Sequence, residues 1–484
     1  MNKEIYKSIL REDLVSFIHK TFITIDNSQE YKSNWHIEVI ADKLKQCKDG
    51  KIKRLIINLP PRSLKSVCIS IAFTAWILGH KPNARIVNVS YSEDLANKLA
   101  RDARAVMESD FYKDIFKTRI NQNKRSENEF ETTKNGYRLA TSTGGTLTGR
   151  GGNFIIIDDP IKPQDALSES LRTKVNQWYN NTLLSRLNNR QEDVIIIVMQ
   201  RLHIDDLVGF VQENESWEIL SLPAIAETDE KYVLNSGKVI ERKTGEVLNK
   251  SLDSIEELNK MKNKIGSYNF SAQYQQRPIP IEGSIIKWKW FKFYDSLPLQ
   301  YGQASVWQSW DIALKTGVNN DFSVCITALF YNNAFYLLDI FRVKEDFVNL
   351  KRLVKDKQSE YKATGILIEE TGVGSGLIPQ LKEEGVYAIP ISPKLSKQER
   401  AFIQTPKIEA GQIYLPKNAV WLDSLKSEVD SFPNGRHDDQ IDALIQLLTH
   451  STENGYSMKR PFYKSKRSIE RILKKHSFKR YDAR

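Results

Sequence analysis

Lys65-Ser66 is the first place where this sequence sets down groups that can do chemistry. The stretch RLIINLPPRSLKSVCISIAFTAWIL begins at Arg54. A strand-like apolar run enters a short polar loop, Lys65-Ser66 follows, and an apolar stretch able to form a helix comes next. An ammonium and a hydroxyl at such a junction can bind the β/γ-phosphates of ATP and ligate Mg²⁺. The helix opening at Ser66 adds backbone N–H groups and its positive dipole end. Arg62 and Ser63 belong to the same loop. The pattern G-x-x-x-x-G-K-[ST], however, asks for glycine where this chain has Leu59 and Leu64. Glycine serves where φ must be positive or where a side chain would collide with phosphate. Leu64 is therefore the hardest residue to reconcile with a nucleotide site. The alternative reading is a buried strand and helix with Arg62 and Lys65 as solvated loop charges.

Two later segments favour the nucleotide reading. Phe154-Ile155-Ile156-Ile157 ends in Asp158-Asp159, as a buried parallel strand delivering carboxylates to its C-terminal edge would. One carboxylate can hold Mg²⁺ through water and the other can orient the attacking water. VIIIVMQRLH then supplies a strand ending in Gln200 and Arg201, polar groups able to sense a γ-phosphate.

A second set of carboxylates lies downstream. SVWQSWDIA ends a strand in Asp311, GILIEETGVGSGLIPQL ends another in Glu369-Glu370, and FPNGRHDDQIDALIQLL puts Asp438, Asp439 and Asp442 at a helix start. Asp438 and Asp442 are four apart and share a helix face. Acidic residues at a helix N-terminus also serve as caps and dipole partners. Strand-end Asp, strand-end Glu and helix-start Asp, in this order, is the layout of ribonuclease-H-like nucleases. Their two metals, about 4 Å apart, activate water and stabilise the leaving oxygen of a phosphodiester. No His/Cys cluster offers another metal site.

The elements that must position these groups fall in order along the chain. RLIIN, ARIVNVSYS, NFIIIDD and VIIIVMQ alternate with helical patterns, which predicts an α/β domain with a mainly parallel sheet. Next comes a mixed region with a helix over SLDSIEELNKMKNKIG, capped by Ser251 or Asp253 and closed by Gly266, and the proline-rich connector YQQRPIPIEG. Strands then return in SVCITALF, AFYLLDIFRV, GILIEE and YAIPIS, the first two joined by the turn YNNA. The expected division is an ATPase domain at 1–240, a connector at 241–283, a nuclease domain at 284–455 and a tail at 456–484.

Composition sets the outer bounds. The 484 residues with 40% hydrophobic content suit two or three globular domains. The longest apolar run, Val67 to Leu78, is too short for a bilayer span. Cys47, Cys68 and Cys325 have no metal-ligand spacing and predict a reduced compartment. With no signal-peptide pattern, the expectation is a soluble intracellular protein. The net charge of +11 is uneven: Lys459–Arg484 holds 11 Lys/Arg against 2 Asp/Glu, leaving 60 against 58 elsewhere. Such a tail binds nucleic acid or another acidic surface, or solubilises.

Taken in order, these segments resemble a known family, the large terminase subunit of tailed bacteriophages. The resemblance rests on LPPRSLKS, VSYSEDLANKLARDARAVM, STGGTLTGRGGNFIIIDDP, MQRLHIDDLVG, YQQRP before EGSII, DIALKTGVNNDFSV, IEETGVGSGLI and GRHDDQIDAL, spanning about Trp35 to Leu448. Two residues depart from the family: Leu64 stands where a small residue is usual, and Asp159 where a Walker B glutamate is common. The resemblance implies an N-terminal P-loop, ASCE-type ATPase and a C-terminal ribonuclease-H-like nuclease. It implies that Lys65 and Ser66 bind ATP and Mg²⁺, that Asp158 is the Walker B carboxylate, and that Asp159 takes the place of the catalytic glutamate. Gln200-Arg201 falls in the coupling motif, Arg150 is an arginine finger in cis or in trans, and Trp35-His36 packs on adenine. Asp311, Glu369 and Asp438 or Asp439 become nuclease metal ligands, with Asp442 as a fourth carboxylate, Glu370 as fallback and Mn²⁺ as a substitute for Mg²⁺. The implied partners are double-stranded DNA, the small terminase subunit, the portal protein and further copies in a ring, with no membrane. The implied place is the host cytoplasm and, transiently, the procapsid portal. Two other readings stay open: a DNA-dependent ATPase or helicase without cleavage, and a recombinase or integrase built on the nuclease half. A prophage remnant with a dead motor would carry the same motifs.

Overall fold

The near-continuous apolar runs become the middle of a sheet buried on both faces. The computed structural model describes residues 3–26, 28, 30–145, 147, 149–279, 285–297, 304–312, 322–370, 372–435 and 437–458. The chain divides into two units, Met1–Pro280 and Ile281–Arg484. The basic segment 459–484 lies outside the described residues.

The first unit is built on eight strands: β1 (Arg54–Asn58), β2 (Arg85–Ser90), β3 (Ile120–Arg125), β4 (Glu129–Thr132), β5 (Tyr137–Ser142), β6 (Phe154–Asp158), β7 (Val194–Met199) and β8 (Glu218–Ser221). Their spatial order is β3-β4-β5-β2-β6-β7-β1-β8. Neighbours from β5 to β8 run parallel, and β3 and β4 add an antiparallel edge. Strand alternation sends Leu55, Ile57, Ile156 and Val198 into one core and Ile56, Ile155, Ile157 and Ile197 into the other. β7 stands between β1 and β6, so the phosphate-loop strand and the acidic strand are separated by one additional strand. That is the ASCE-type P-loop ATPase arrangement. A hairpin of β9 (Glu230–Val233) and β10 (Val239–Arg242) follows.

Two helices differ from expectation. The apolar stretch after Ser66 opens as a π-helix, Val67–Phe73, and becomes α-helical only at Thr74–His80. The helix expected to start after Ser251 or Asp253 runs Ile255–Gln273 with Ser254 as its cap. Ser254 prevails because Glu257, three residues on, completes a reciprocal capping box. Gly266, at φ 82° and ψ 158°, leaves the helical region as its expected role as the stop requires, and a second helical stretch continues across this kink to Gln273.

The second unit holds β11 (Lys292–Tyr294), β12 (Ser305–Asp311), β13 (Ser323–Tyr331), β14 (Ala334–Val343), β15 (Gly365–Glu369), β16 (Ala388–Ile391) and β17 (Ile413–Pro416), ordered β11-β17-β14-β13-β12-β15-β16. β12, β13 and β14 are antiparallel, while β15 and β16 continue the sheet in parallel from β12. The β13–β14 turn carries positive φ at Asn332 and Asn333, as a tight hairpin requires. The helix Asp439–Met458 packs on β12 and β13. This is a ribonuclease-H-like fold. Among the described residues, no helix is long and apolar enough to cross a membrane.

Candidate active sites

The loop after β1 takes the glycine conformation without glycine. Arg62 and Leu64 have φ of 62° and 58°. A left-handed L-residue costs about 1–2 kcal/mol, so the loop needs braces. His36, buried at 1% exposure, donates from Nε2 to Ser63 O at 3.3 Å. Leu64 O accepts from Cys68 N at 2.9 Å, and the Leu64 side chain packs against the core. Burial pushes the His36 imidazole down to about 4, against the pull of its bond to Ser63 O and with the nearby Arg242 charge adding to the fall. The brace is therefore a neutral ring at pH 7 with its proton on Nε2.

Lys65 turns inward from this loop, and its ammonium lies 2.8 Å from the Asp159 carboxylate. Asp158, on β6, is 1% exposed and accepts from Ser70 Oγ at 2.6 Å through Oδ2. Burial and the adjacent Asp159 charge push Asp158 up to about 6, against the pull of Lys65 and Ser70. Ser70 comes from the π-helical segment, whose wider turn sets a hydroxyl under the end of β6. Lys65, Ser66, Asp158 and Asp159 thus form a hard-oxygen and ammonium donor set at the C-terminal edge of the sheet, which fits a Mg-nucleotide.

Gln200 and Arg201 follow β7 but have different surroundings. Gln200 is buried, with Oε1 free of hydrogen bonds. Arg201 holds Asp206 through Nε at 3.0 Å and caps the His203 and Ile204 carbonyls. Asp206 also accepts from the N–H groups of Leu202 and Gly209, so Arg201 is a strut of this loop. Gln276, from YQQRP, accepts from Arg201 N at 3.0 Å.

Arg150 is not brought to Lys65. Its guanidinium pairs with Glu129 at 3.0 Å and lies over the Tyr137 ring, which begins β5. That is the end of the strands opposite to the phosphate loop, which excludes a cis arrangement in this structure. Trp35 packs 5.4 Å from Tyr232, beneath Arg242.

In the second unit, Asp311 ends β12 and Glu369 ends β15, its parallel neighbour. The helix Asp439–Met458 brings up Asp439 and Asp442, and Asp438 immediately precedes it. Gln446 pins this helix to β12, donating to Ser309 Oγ at 3.0 Å and Trp310 O at 3.2 Å. Arg342 and Gln440 both hold Glu428, which fixes the helix start. Burial, followed by the Asp442 charge, pushes Asp311 up to about 8, with Asp439 and Glu369 adding to the rise. Burial likewise pushes Asp442 up to about 6. Glu370 is turned away, accepting from Ser392 Oγ at 2.8 Å. Lys397 and Arg400 reach into the cluster from another helix. Among the described residues, no three His, Cys, Asp or Glu side chains close on one point as metal ligands. The all-oxygen donor set and the mutual repulsion at Asp311 fit a divalent cation once the carboxylates draw together.

Sequence reasoning marks Gln276 only as part of YQQRP and does not single out Ser70, Lys397, Arg400 or Gln446. Of these, Lys397 and Arg400 alone carry a local signal: two basic residues opening a helix, where the dipole favours acids.

Residues 308–451, which include all five carboxylates, match the family described as the terminase RNaseH-like domain. A search of curated proteins finds no match. The solved large terminase of a thermophilic bacteriophage (crystal form 2) is 10% identical, covering 84% of this chain and 98% of that one, with a TM-score of 0.49. The HK97 bacteriophage large terminase is 10% identical over 90% and 98%, with a TM-score of 0.37. The large terminase nuclease of thermophilic phage G20c, with bound magnesium, is 16% identical over 35% and 98%, with a TM-score of 0.27.

Proposed function

We propose, from the premise that residues 308–451 are similar to the terminase RNase H-like domain, that the chain is a phage large terminase, an ATP-driven DNA-packaging motor with its own nuclease. The observation that carries this reading is the pair of constellations on one chain. Lys65, Asp158 and Asp159 meet at one sheet edge, and at another the charges of Asp442, Asp439 and Glu369 act on Asp311 while Lys397 joins Asp438 to Asp442.

In the motor, Lys65 exchanges its Asp159 partner for the β/γ-phosphates, and Arg62 and Ser63 line the approach. Ser66 and Asp158 would hold Mg²⁺. Asp159, released from Lys65, orients the attacking water and takes its proton. Gln200, buried at the end of β7 with Oε1 unpaired, would sense the γ-phosphate, and Arg201 would pass the displacement to Gln276 through the bond from its backbone N–H. Arg150 serves a neighbouring copy in a ring. Trp35 belongs to the wall that positions the phosphate loop, beside His36. In the nuclease, Asp311, Glu369 and the Asp438/Asp439/Asp442 group would hold the metals. Bound Mg²⁺ or Mn²⁺ supplies charge neutralisation at the phosphates and, in the nuclease, an activated water. Double-stranded DNA is the substrate of both halves, and the procapsid portal and small subunit are the docking partners, with no membrane involved.

The test is to measure ATP hydrolysis and Mn²⁺-dependent plasmid cleavage on one preparation. Lys65→Ala is expected to lose ATPase and keep cleavage. Asp311→Ala is expected to cut at less than about a tenth of the wild-type rate and keep ATPase. ATPase retained in Lys65→Ala, or cleavage retained in Asp311→Ala, overturns the corresponding half. A wild type that hydrolyses ATP but never cuts DNA is the helicase reading.

A further inference from the structure

Two cations from a separate element sit among the nuclease carboxylates. Lys397 and Arg400 belong to the first turns of the helix Lys397–Glu409 and, three residues apart, share a face. Lys397 Nζ lies 2.9 Å from Asp438 Oδ1 and 2.5 Å from Asp442 Oδ2. Arg400 lies 3.5 Å from Glu369 Oε2 and 3.8 Å from Asp442 Oδ1. Both cations stand at a helix N-terminus, where the dipole disfavours positive charge. Local propensity therefore does not explain them, and the facing carboxylates do.

The helix that delivers them is clamped at both ends. Ser396 and Glu399 form a capping box at its start. Near its end, Lys407 donates to Leu448 O at 3.0 Å and to Ser451 Oγ and Thr452 Oγ1, both at 2.7 Å. Those three acceptors lie on the helix that carries Asp439 and Asp442, so cations and carboxylates are held in register. The two cations differ in freedom. The Arg400 side chain is 11% exposed, whereas Lys397 is 51% exposed and has a four-carbon stem free to swing outward.

Resting on the nuclease reading above, we propose that Lys397 is a built-in competitor of the divalent metal. Its ammonium occupies the space between Asp438 and Asp442, with Arg400 fixing the outer carboxylates. A metal ion enters by displacing Lys397 from that pair. The cost of displacement raises the metal concentration the site needs and keeps the cutter quiet while the motor, on the same chain, uses Mg-nucleotide.

Mn²⁺ titration of the full chain without nucleotide or DNA, by calorimetry and by the electron paramagnetic resonance signal of free Mn²⁺, tests this. Lys397→Met is expected to bind Mn²⁺ at least about tenfold more tightly than wild type, because removing a unit charge at contact distance strengthens the field on the ion. Lys397→Arg, which keeps the charge, should bind as wild type does. In EDTA the thermal midpoint of Lys397→Met should fall and then recover with Mn²⁺. Lys397→Gln provides the same neutral comparison if the Met variant does not fold. Equal or weaker Mn²⁺ binding in the neutral variants overturns the proposal. Asp311→Asn, made in wild type and in Lys397→Met, separates the two claims. If it leaves Mn²⁺ binding unchanged in both, the carboxylate-site reading itself fails. If it weakens binding while Lys397→Met matches wild type, only the role of Lys397 fails.

Discussion

His36 decides whether a phosphate loop can hold its shape without glycine. Its hydrogen bond to Ser63 O braces a backbone with positive φ on both sides, at Arg62 and Leu64. The ring is held neutral, with its folded-state value depressed to about 4. The unfolded state thus binds more protons between that value and the ordinary histidine range near 6.5. Stability from this group is present above about 6.5 and lost as pH falls towards 4. Comparing His36→Asn with wild type by thermal denaturation should show the largest gap at pH 7 and a smaller one at pH 5. A gap that widens on acidification contradicts the assignment. Ser70 makes a second residue-scale prediction. Removing its hydroxyl leaves Asp158 Oδ2 without its 2.6 Å partner in a buried site. Ser70→Ala should cost about 1.5–3 kcal/mol by urea unfolding, as loss of a hydrogen bond to a charged group does.

At the scale of elements, Gly374 shows how the sheet edge and the next helix are fitted together. A Cβ there would stand 2.0 Å from the carbonyl oxygen of Glu369. The helix Val373–Glu383 can start against the end of β15 only because that position is bare. Gly374→Ala should destabilise the nuclease unit by about 1–3 kcal/mol, as overpacking does. It should also impair DNA cleavage and spare ATP hydrolysis, and the two assays on one sample would check both. The pieces legible in sequence are those encoded by one local rule. Ile155-Ile156-Ile157 can only be a strand buried on both faces, and the turn YNNA between two apolar runs can only be a hairpin. The closeness of Asp438 and Asp442 is legible from their four-residue spacing, although Asp438 stands just before the helix and meets it through the Asp442 N–H to Asp438 O bond. What stays hidden depends on interactions between distant segments. No local pattern tells that Leu64 is held left-handed by a ring 28 positions earlier in the chain. None tells that Arg201 spends its guanidinium on Asp206, that Ser70 sits on a π-turn, or that Gln446 stitches the last helix to β12. The connector helix begins at Ser254 because a capping box, with two bonds, outweighs a single cap.

At the scale of the molecule, each unit carries its own core and its own acidic site. The charge is distributed differently, with Lys459–Arg484 holding most of the surplus. Binding of that segment to DNA phosphates would release counterions. Truncation after Ser457 should therefore flatten the salt dependence of DNA binding by about 0.9 in log–log slope for each phosphate no longer neutralised. Equal slopes for full-length and truncated protein would assign the segment to protein docking, measurable by co-sedimentation with portal rings. The position of Arg150 has a consequence for the rate law. An arginine held by Glu129 and Tyr137 at the far end of the strands cannot serve the Lys65 of its own chain. If hydrolysis borrows it from a neighbour, specific activity is not a constant of the polypeptide. It rises with protein concentration and falls on dilution. Two preparations each dead alone, Lys65→Ala and Arg150→Ala, should regain part of the activity when mixed, since an interface can then unite one intact lysine with one intact arginine.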